Sequence, residues 1–423
     1  MSVSSVNVNA SVNVNYDIAV IGGGMVGIPL AIGLANQGFS ILLVERGSLS
    51  EVPDIGLSNS FDWRSTAISA GSVNILSALN LWDEQALLAN PIQTVHVSEQ
   101  GRMGTTSIQA QELGSQALGY VVPNIAVGKL FQVSLADSTV DVREHTHVSK
   151  IVMRAEAADV HTRSENSSEQ VFRASLVIVA DGAQSKCAQM LGIDYEQKSY
   201  NQNAIITNVE TELPNQGVAF ERFAATGPAA LLPLQTSLSA LVWTLSSEEA
   251  DAAMALPQEA FCKHIEDIFG GRLGRICNSG ERVSYPLSLT QAKEQSRERL
   301  LVVGNAAHSL HPVAGQGFNL ALRGVAAYIE GLAEFKEGGF WQNSVLKSLV
   351  AKHRLEQAKI VTFSDQLIDV FSPASHVPSL ARTLGLVSLN SLASLKAELA
   401  KHSMGQAQSL KLQQSAKHSG SIL

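Results

Sequence analysis

The chain has 423 residues, more than the ~250–300 at which a single hydrophobic core stops growing, so its length predicts two lobes. Its 38 acidic residues outnumber its 30 Lys and Arg, and the formal net charge of −8 argues against a nucleic-acid-binding protein, whose contact surface carries a basic excess. Three scattered cysteines offer neither a disulfide framework nor a CxxC pair, and they fit a reducing compartment.

The first predicted elements form a βαβ unit. Residues 1–15 repeat the letters SVNVN and lack the basic and apolar regions of a secretory signal, so we expect a disordered leader there. The segment DIAVIGGG then predicts a buried strand that runs into glycines. MVGIPLAIGLANQG predicts an apolar helix, and ILLVER predicts a second buried strand.

The remaining elements change character twice along the chain. TAISAGSVNILSALNL predicts a helix, and short alternating runs at about 92–112 and 201–290 predict an antiparallel sheet. Between those runs, STVDVREHTHVSKIVMRAEAADVHTR and VFRASLVIVADGA predict strands that return to the first lobe. A strand, a loop and a helix follow at RLLVVGNAAHSLHPVAGQGFNLALRGVAAYIEGLAEF, and apolar residues recur at helical spacing from about 340 to 400.

A glycine motif lies between the first predicted strand and helix, with Gly22, Gly24 and Gly27 in the spacing GxGxxG. The first glycine allows a tight turn, the second lets backbone N–H groups approach a pyrophosphate, and the third permits close packing of helix on strand. Glu45 ends the next strand, where a carboxylate accepts hydrogen bonds from ribose hydroxyls. The motif predicts a dinucleotide with an unphosphorylated ribose, such as FAD or NAD. A glycine turn without a ligand is the alternative, which the complete βαβ unit disfavours.

Two further loops follow buried predicted strands. Asp181 and Gly182 come after SLVIV, in the segment ADGAQS, and alone would indicate no more than a turn at a strand end. Gly304 and Asn305 come after LLVV and open GNAAHSLHPVAGQGFN, whose closely spaced glycines precede a predicted helix. Such glycines let backbone N–H groups converge on a planar or anionic ligand. Ligands of open α/β sheets bind at the carboxyl ends of the strands, where both loops are expected.

In this order, GGGMVG with Glu45 and Arg46, then ADGAQS, then GNAAHSLHPVAGQGFNLAL resemble the group A flavoprotein aromatic monooxygenases, which have a single FAD-binding Rossmann domain. Within them, HPVAGQGFN, ERFAATGPAALLPL and FDWRSTAIS resemble the ubiquinone-biosynthesis hydroxylase branch. The resemblance extends over about residues 16–405. The combination of three motifs is far more specific than any one of them.

The resemblance implies an α/β fold with a Rossmann-like FAD-binding domain, whose parallel sheet is discontinuous in sequence, an antiparallel-sheet substrate domain and C-terminal helices. The boundaries that we expect are 16–80, 120–195 and 295–335 for the FAD-binding domain, 81–119 and 196–294 for the substrate domain, 336–405 for the C-terminal helical region, and 406–423 for a flexible tail.

The resemblance also implies an activity. The enzyme would use NAD(P)H as a transient co-substrate and O2 to hydroxylate a polyprenylated phenol of the 2-polyprenyl-6-methoxyphenol type in ubiquinone biosynthesis, through a C4a-hydroperoxyflavin. The residues implied at the reactive edge of the flavin, with no acid or base assigned, are Pro312, Gly315, Gln316 and Gly317. The residues implied to bind the cofactor are Gly22, Gly24, Gly27, Glu45, Arg46, Arg64, Asp181, Gly182, Gly304, Asn305, Gly315, Gly317 and Asn319.

The sequence departs from the family pattern at four positions. Asn305 replaces the Asp whose carboxylate binds the ribityl chain, and Ala188 replaces the Arg that ends the second motif. After the glutamine-glycine loop, Ala321 and Gly324 replace a Gly and an Asp. These changes concern cofactor contacts more than the class of reaction.

Other functions remain open from the sequence. A sibling hydroxylase acting at another ring carbon and an FAD-dependent prenyl-chain reductase would both carry the dinucleotide motif, whereas the WxWxIP element of flavin halogenases is missing. A non-enzymatic nucleotide-binding protein would leave the three loops unexplained. No metal site is predicted, since His308 and His311 have no Cys or acidic residue nearby in sequence.

The expected partners are a polyprenylphenol, O2 and other ubiquinone-biosynthesis proteins, with no nucleic acid. No stretch approaches the ~20 apolar residues that span a bilayer, and charged residues are only 16% of the chain. We therefore expect a cytoplasmic protein with an apolar surface and peripheral contact with the inner face of the membrane.

Overall fold

The computed structural model describes residues 12–49, 64–102, 104–164, 169–309 and 316–371. Its strands are β1 (Val12–Ile21), β2 (Ile41–Val44), β3 (Ser65–Ser69), β4 (Asn90–Ile92), β5 (Thr94–Glu99), β6 (Thr105–Gln109), β7 (Gly119–Pro123), β8 (Asp141–Arg143), β9 (Thr146–Met153), β10 (Ala158–Ser164), β11 (Gln170–Val179), β12 (Tyr195–Thr211), β13 (Val218–Ala224), β14 (Gly227–Gln235), β15 (Leu238–Ser246), β16 (Ile276–Ser279), β17 (Val283–Ala292), β18 (Ser296–Arg297), β19 (Leu300–Val302) and β20 (His308–Ser309). Its helices are α1 (Gly27–Asn36), α2 (Ala70–Ala78), α3 (Asn124–Ala136), α4 (Lys186–Met190), α5 (Ser247–Ala255), α6 (Gln258–Phe269), α7 (Gln316–Glu334) and α8 (Asn343–Phe371).

The first sheet has a parallel core in the strand order β19, β11, β1, β2 and β8, and antiparallel strands β18, β10 and β9 extend it. Its central strands are almost entirely apolar because both faces are covered. On β1, Ile18 and Val20 pack into one hydrophobic cluster, and Ala19 and Ile21 pack into another on the opposite face. The predicted α/β fold with a parallel sheet built from distant segments is confirmed.

The first strand starts earlier than expected. β1 begins at Val12, and Asn15 is paired with Arg173 of β11. The predicted leader over residues 1–15 is therefore wrong at its C-terminal end, because backbone pairing extends the strand beyond its apolar residues. Residues 1–11 of that leader lie outside the described residues.

The large sheet has the strand order β20, β17, β12, β15, β14, β13, β5 and β6, with β16 beside β12. Helices α5 and α6 cover one of its faces, where Trp243 and Leu231 pack against Phe261 and Ile265. The expectation of strands alone over 201–290 missed both helices. α5 has a local signal, because Ser246 and Glu249 form a reciprocal capping box at its first turn.

One pair in the large sheet is parallel rather than antiparallel. β13 pairs in parallel with β5, with Val218 opposite Thr94 and Phe223 opposite Glu99. The two strands come from segments more than a hundred residues apart, so no tight hairpin imposes an antiparallel direction on them. The prediction of a purely antiparallel sheet is wrong at this pair.

A small sheet, made of β3, β7 and β4, packs against both of the others. Ile68 and Val122 share a hydrophobic cluster with the first sheet, and Ile92 and Val121 share one with the large sheet. The helix predicted from TAISAGSVNILSALNL starts late, because its first residues belong to β3, which pairs with β7. α2 begins at Ala70, and the hydroxyl of Ser69 accepts a hydrogen bond from the backbone N–H of Ser72 at 3.4 Å. Gly119 of β7 approaches β3 so closely that a Cβ would lie 2.5 Å from the carbonyl oxygen of Ile68.

The last two helices pack against the first sheet's core. Gly33 of α1 makes room for Ile329 of α7, and Gly331 of α7 makes room for Leu349 of α8, since a Cβ at either glycine would lie about 2 Å from the neighbouring side chain. α8 is described as far as Phe371, and the rest of the predicted helical region and the predicted tail over 406–423 lie outside the described residues. Among the described residues, no helix is both long and apolar enough to cross a membrane.

Candidate functional site

The carboxyl ends of four parallel strands are in register in the first sheet. Ile21 pairs with Val44 and Val179, and Val179 pairs with Val302. The loops that follow β1, β2, β11 and β19 therefore emerge at one edge of the sheet. This is the edge at which open α/β sheets bind ligands.

The turn from β1 to α1 can be built only with glycine at two positions. Gly22 has a φ of +107°, and a Cβ there would lie 2.5 Å from the carbonyl oxygen of Ala180. Its N–H donates to the carbonyl of Val44 at 2.8 Å. A Cβ on Gly27 would lie only 1.8 Å from the carbonyl oxygen of Gly22. These contacts bring the turn, β2 and the loop after β11 together.

The N-terminus of α1 faces open space. Gly24 is exposed, and a Cβ added there would meet no atom within 4 Å. No side chain among the described residues caps the helix at Val26, and its first turn has no acidic residue. The unpaired N–H groups and the positive end of the helix dipole therefore favour an anion at this position.

Glu45 lies at the same edge, directly after β2. Its Oε2 accepts a hydrogen bond from the N–H of Gly23 at 2.6 Å, and its Oε1 accepts one from the N–H of Gly47 at 2.7 Å. The carboxylate is thereby fixed beside the glycine turn. Arg46, the next residue, is exposed.

Asp181 and Gly182 follow β11 at the centre of the edge. Asp181 Oδ2 accepts a hydrogen bond from the N–H of Cys187 at 3.2 Å, whereas its Oδ1 is buried and has no partner among the described residues. Burial and the nearby Asp181 charge raise the pKa of the Cys187 thiol, so this cysteine is not a reactive thiolate. Gly182 has a φ of +91°, and a Cβ there would meet nothing within 4 Å.

The loop after β19 packs directly on the glycine turn. Gly304 has a φ of +59°, and a Cβ there would lie 3.1 Å from the side chain of Val26. Asn305, in the position where the family carries Asp, is exposed beside it. The first and third motifs, which are separated by almost 280 residues in the chain, are thus neighbours.

The entry to α7 continues this loop. Pro312 and Gly315 lie outside the described residues, and Gln316 begins α7. Gly317 is half-buried, and a Cβ there would meet nothing within 4 Å. Asn319 is buried and holds the helix against β3, because its Oδ1 accepts the N–H of Ser69 at 2.8 Å and its Nδ2 donates to the carbonyl of Ala67 at 2.8 Å.

Arg64 joins the small sheet to the large one. Its Nη1 donates to the hydroxyl of Tyr285, on β17, at 2.6 Å, and its carbonyl oxygen accepts the N–H of Asn124 at 2.9 Å. The side chain is exposed. Arg64 therefore sits where the two sheets meet.

The sequence did not predict a buried polar cluster behind the third motif. His308 Nδ1 accepts a hydrogen bond from Gln357 Nε2 at 3.0 Å, and the ring centroid of His308 lies 5.6 Å from that of His353. Burial lowers the pKa of His308 to about 3 and that of His353 to about 4, so both rings are neutral at pH 7. Tyr328 and Arg323 of α7 complete the cluster, with the ring of Tyr328 against His353 and the charge of Arg323 helping to lower the His353 pKa.

This cluster accounts for one departure from the family pattern. A Cβ on Gly324 would lie 2.9 Å from the ring of His353, so the family's Asp cannot fit here while His353 keeps its place.

His311, the other histidine of the third motif, lies outside the described residues. Among the described residues, no group of three or more His, Cys, Asp or Glu side chains could hold a metal ion. His145 and His147 are both exposed.

The chain resembles known proteins over most of its length. A family model described as an FAD-binding domain matches residues 15–364. The ubiquinone hydroxylase UbiL of Rhodospirillum rubrum is 33% identical over 393 residues, which cover 92% of this chain and 89% of that protein. The chain belongs to the FAD-dependent monooxygenase family. The predicted family, enzyme class and cofactor are confirmed, and NAD(P)H is the reductant that the family uses.

Two further comparisons are informative. The 3-demethoxyubiquinol 3-hydroxylase of Escherichia coli is 32% identical over 92% of this chain and 98% of that protein. The structure of Pseudomonas aeruginosa PqsL in complex with 2-aminobenzoylacetate superposes with a TM-score of 0.73 at 18% identity, over 89% of this chain and 100% of PqsL. The second likeness shows the fold alone.

The described residues of the monooxygenase fit FAD at the sheet edge in three respects. The N-terminus of α1 has no side-chain cap, as a pyrophosphate site requires. Asp181 Oδ1 is a buried acceptor without a donor among the described residues. The protein leaves open space beside Gly24, Gly182 and Gly317, where a Cβ would meet no atom.

Proposed function

We propose that this monooxygenase hydroxylates the aromatic ring of a polyprenylated phenol, of the 2-polyprenyl-6-methoxyphenol type, in ubiquinone biosynthesis. The observation that carries the proposal is the match of 92% of the chain to a ubiquinone hydroxylase and to a 3-demethoxyubiquinol 3-hydroxylase, at 33% and 32% identity. The reaction converts the phenol, O2, NAD(P)H and a proton into the hydroxylated phenol, NAD(P)⁺ and water.

We assign the cofactor's dinucleotide half to the loops after β1 and β2. Backbone N–H groups of Gly24 and of the residues up to Gly27, where α1 begins, would bind the pyrophosphate, and Gly22 and Gly27 allow its close approach. Glu45 would accept hydrogen bonds from the ribose hydroxyls, because its carboxylate is already oriented by two backbone donors. Exposed Arg46 flanks this end of the site.

We assign the rest of the cofactor to the other loops at the same edge, formed by Asp181, Gly182, Gly304 and Asn305. When bound, FAD supplies the transfer of electrons from NAD(P)H to O2. Asn319 would act on the site by holding α7 in place, since both ends of its amide already bind the backbone of β3. Arg64 and its partner Tyr285 would hold the large sheet against the site.

The reactive edge of the cofactor is proposed to face the start of α7. Backbone N–H groups of Gly315, Gln316 and Gly317 would stabilise negative charge on the bound cofactor, and Pro312 would shape the neighbouring space without donating a hydrogen bond. We expect Gly317→Val to lose FAD. A Cβ at Gly317 would touch none of the surrounding described residues, so the valine would not clash with the protein itself. Loss of FAD from this variant would therefore mean that the cofactor fills the space beside Gly317. A fully yellow and active variant would contradict the assignment.

The two larger sheets are proposed to bind different ligands. The segments 16–80, 120–195 and 295–335 would bind FAD, 81–119 and 196–294 would bind the phenol, and 336–405 would help a prenyl tail to enter. With only 16% charged residues and a net charge of −8, contact with the membrane would depend on apolar surface or on partner proteins of the same pathway.

The proposal is tested first on the purified protein, which should be yellow and should bleach with NADH or NADPH. The decisive experiment deletes the gene and identifies by mass spectrometry the quinone precursor that accumulates. An unhydroxylated polyprenylphenol supports the proposal, and its substitution pattern identifies the ring carbon, which separates this activity from that of a sibling hydroxylase. Unchanged quinone with altered saturation of prenyl chains would instead support a reductase.

A further inference from the structure

The face of the large sheet opposite to α5 and α6, hereafter the helix-free face, carries one carboxylate in an apolar row. Glu221 on β13 is paired with Val97 on β5 and with Ala230 on β14. The row continues through Val242 on β15, Ile206 on β12 and Val283 on β17, each paired with the previous residue. Paired residues of neighbouring strands share a face, so six adjacent strands contribute this row.

The helix-free face is turned towards the first lobe of the molecule. Ala219, two residues before Glu221, packs in one hydrophobic cluster with Val121 of β7 and Ile92 of β4, both in the small sheet. At the other side of the row, Tyr285 follows Val283 by two residues and accepts the hydrogen bond of Arg64. Glu221 therefore lies on the surface that faces the small sheet and the proposed flavin site.

Glu221 is only partly exposed, and its environment is that of a buried acid. The residue keeps partial contact with solvent, yet its carboxyl group lies deep in the protein, and burial raises its pKa to about 7. Glu221 has no hydrogen bond or ion pair with another described residue. Arg222 points to the opposite face, where it donates to Ser98 at 3.1 Å.

The other charged or titratable groups of this face are few. Within the described residues near the row, β5 contributes Glu99, and β12 contributes Glu210, which is exposed at the end of the strand. β17 contributes Tyr285, and the small sheet contributes Arg64, which is bound to Tyr285. None of them forms an ion pair with Glu221. A lone carboxylate in an apolar row is costly to bury, and groups of this kind occur mainly at functional sites.

We propose that Glu221 is the general base that takes the phenolic proton of the substrate. The inference rests on the proposed function. The O–H bond of the phenol breaks, the proton passes to a carboxylate oxygen of Glu221, and the electron pair stays on the phenol oxygen, which makes the ring more nucleophilic. The proton later leaves to water, which restores the carboxylate. The apolar neighbours in the row would contact the ring and the first prenyl unit.

The test compares Glu221→Gln with a matched control, Glu210→Gln, which removes an exposed carboxylate from the end of β12 in the same sheet. The probe is 2-geranyl-6-methoxyphenol, used with the FAD-loaded enzyme. We expect Glu221→Gln to lower the hydroxylation rate by about 10²–10⁴-fold. FAD content and the rate of flavin reduction by NAD(P)H should be unchanged, and the NAD(P)H consumed should yield H2O2. Glu210→Gln should behave as wild type.

Two measurements separate a base from a structural residue. The kcat/KM of the wild type should decrease as the pH is lowered, with a midpoint near pH 7, because the essential base must be ionised. Glu221→Gln should lose that pH dependence. A fluorinated, more acidic analogue of the probe should lose much less rate in Glu221→Gln.

The possible failures are distinguishable. If wild type hydroxylates the probe and Glu221→Gln does so at the same rate and with the same pH profile, Glu221 is not the base. If Glu221→Gln is slow but equally slow with the acidic analogue, the residue is structural and the inference is overturned. If yellow wild-type protein hydroxylates neither the probe nor the quinone precursor identified by gene deletion, the proposed function itself fails.

Discussion

The neutral buried pair His308 and His353 predicts a steep loss of stability in mild acid. The two residues are 4% and 5% exposed, and burial lowers their pKa values to about 3 and about 4. In the unfolded chain a histidine titrates near about 6.5. Between about pH 6.5 and 4 the unfolded state therefore binds protons that the folded state does not, and the free energy of unfolding falls as the pH falls. At pH 5 this amounts to about 2 kcal/mol for each histidine and about 4 kcal/mol for the pair.

The substitution His353→Phe isolates one half of this effect, because it keeps a ring against Tyr328 and removes one titrating group. Urea unfolding of the enzyme in excess FAD, at pH 8 and at pH 5, gives the difference in unfolding free energy between the two conditions. We expect that difference to be about 2 kcal/mol smaller in His353→Phe than in wild type. His147→Gln, at an exposed position of β9, is the matched control and should change nothing. The reasoning is refuted if His353→Phe and wild type lose the same free energy between pH 8 and pH 5.

Three further predictions concern packing and hydrogen bonds. Gly27→Val should lose FAD and about 3 kcal/mol of stability, because its Cβ would lie 1.8 Å from the Gly22 carbonyl; a yellow variant would contradict this. Asn319→Ala should cost about 2 kcal/mol in urea unfolding, from two lost hydrogen bonds to β3, and should speed FAD release; unchanged release would speak against the role of α7. Phe261→Ala should cost about 3–5 kcal/mol, since its ring is fully buried between α6 and the large sheet; a loss below 1 kcal/mol would show that the cavity collapses.

The sheet edge could be predicted from the sequence because its signals are local. A buried strand, a glycine turn and a helix follow one another between residues 12 and 36, and Glu45 comes directly after the next strand. The order and spacing of these elements predict the positions of Gly22, Gly27 and Glu45 at the sheet edge. The positions of the loops at Asp181 and Gly304 could be predicted from the strands that precede them, because parallel strands end at a common edge. What could be predicted was the backbone at the ends of strands.

The environment of single side chains could not be predicted in the same way. Glu221 belongs to the segment VAFERFA on β13. Its apolar neighbour on β5 is brought there by the parallel pairing of β13 with a strand from another part of the chain, which the local sequence does not indicate. His353 and Gln357 meet His308 only because α8 packs beside the third motif. One local signal was available: Ala219, Glu221 and Phe223 alternate onto one face of β13, and Glu221 is the polar exception among them.

The strand order of the first sheet has a consequence for how the protein is made. β11 has β1 on one side, whereas β10 pairs with the first half of its other side and β19 pairs with the end of that side. About 120 residues separate the end of β11 from the start of β19. At roughly 5–20 residues per second on the ribosome, the end of that side of β11 waits about 6–24 s for its partner. Most of the large sheet, from β12 to β17, is synthesised during that interval. Through this period the apolar C-terminal end of β11 has an open edge, so the growing chain needs protection from aggregation until residue 302 has emerged.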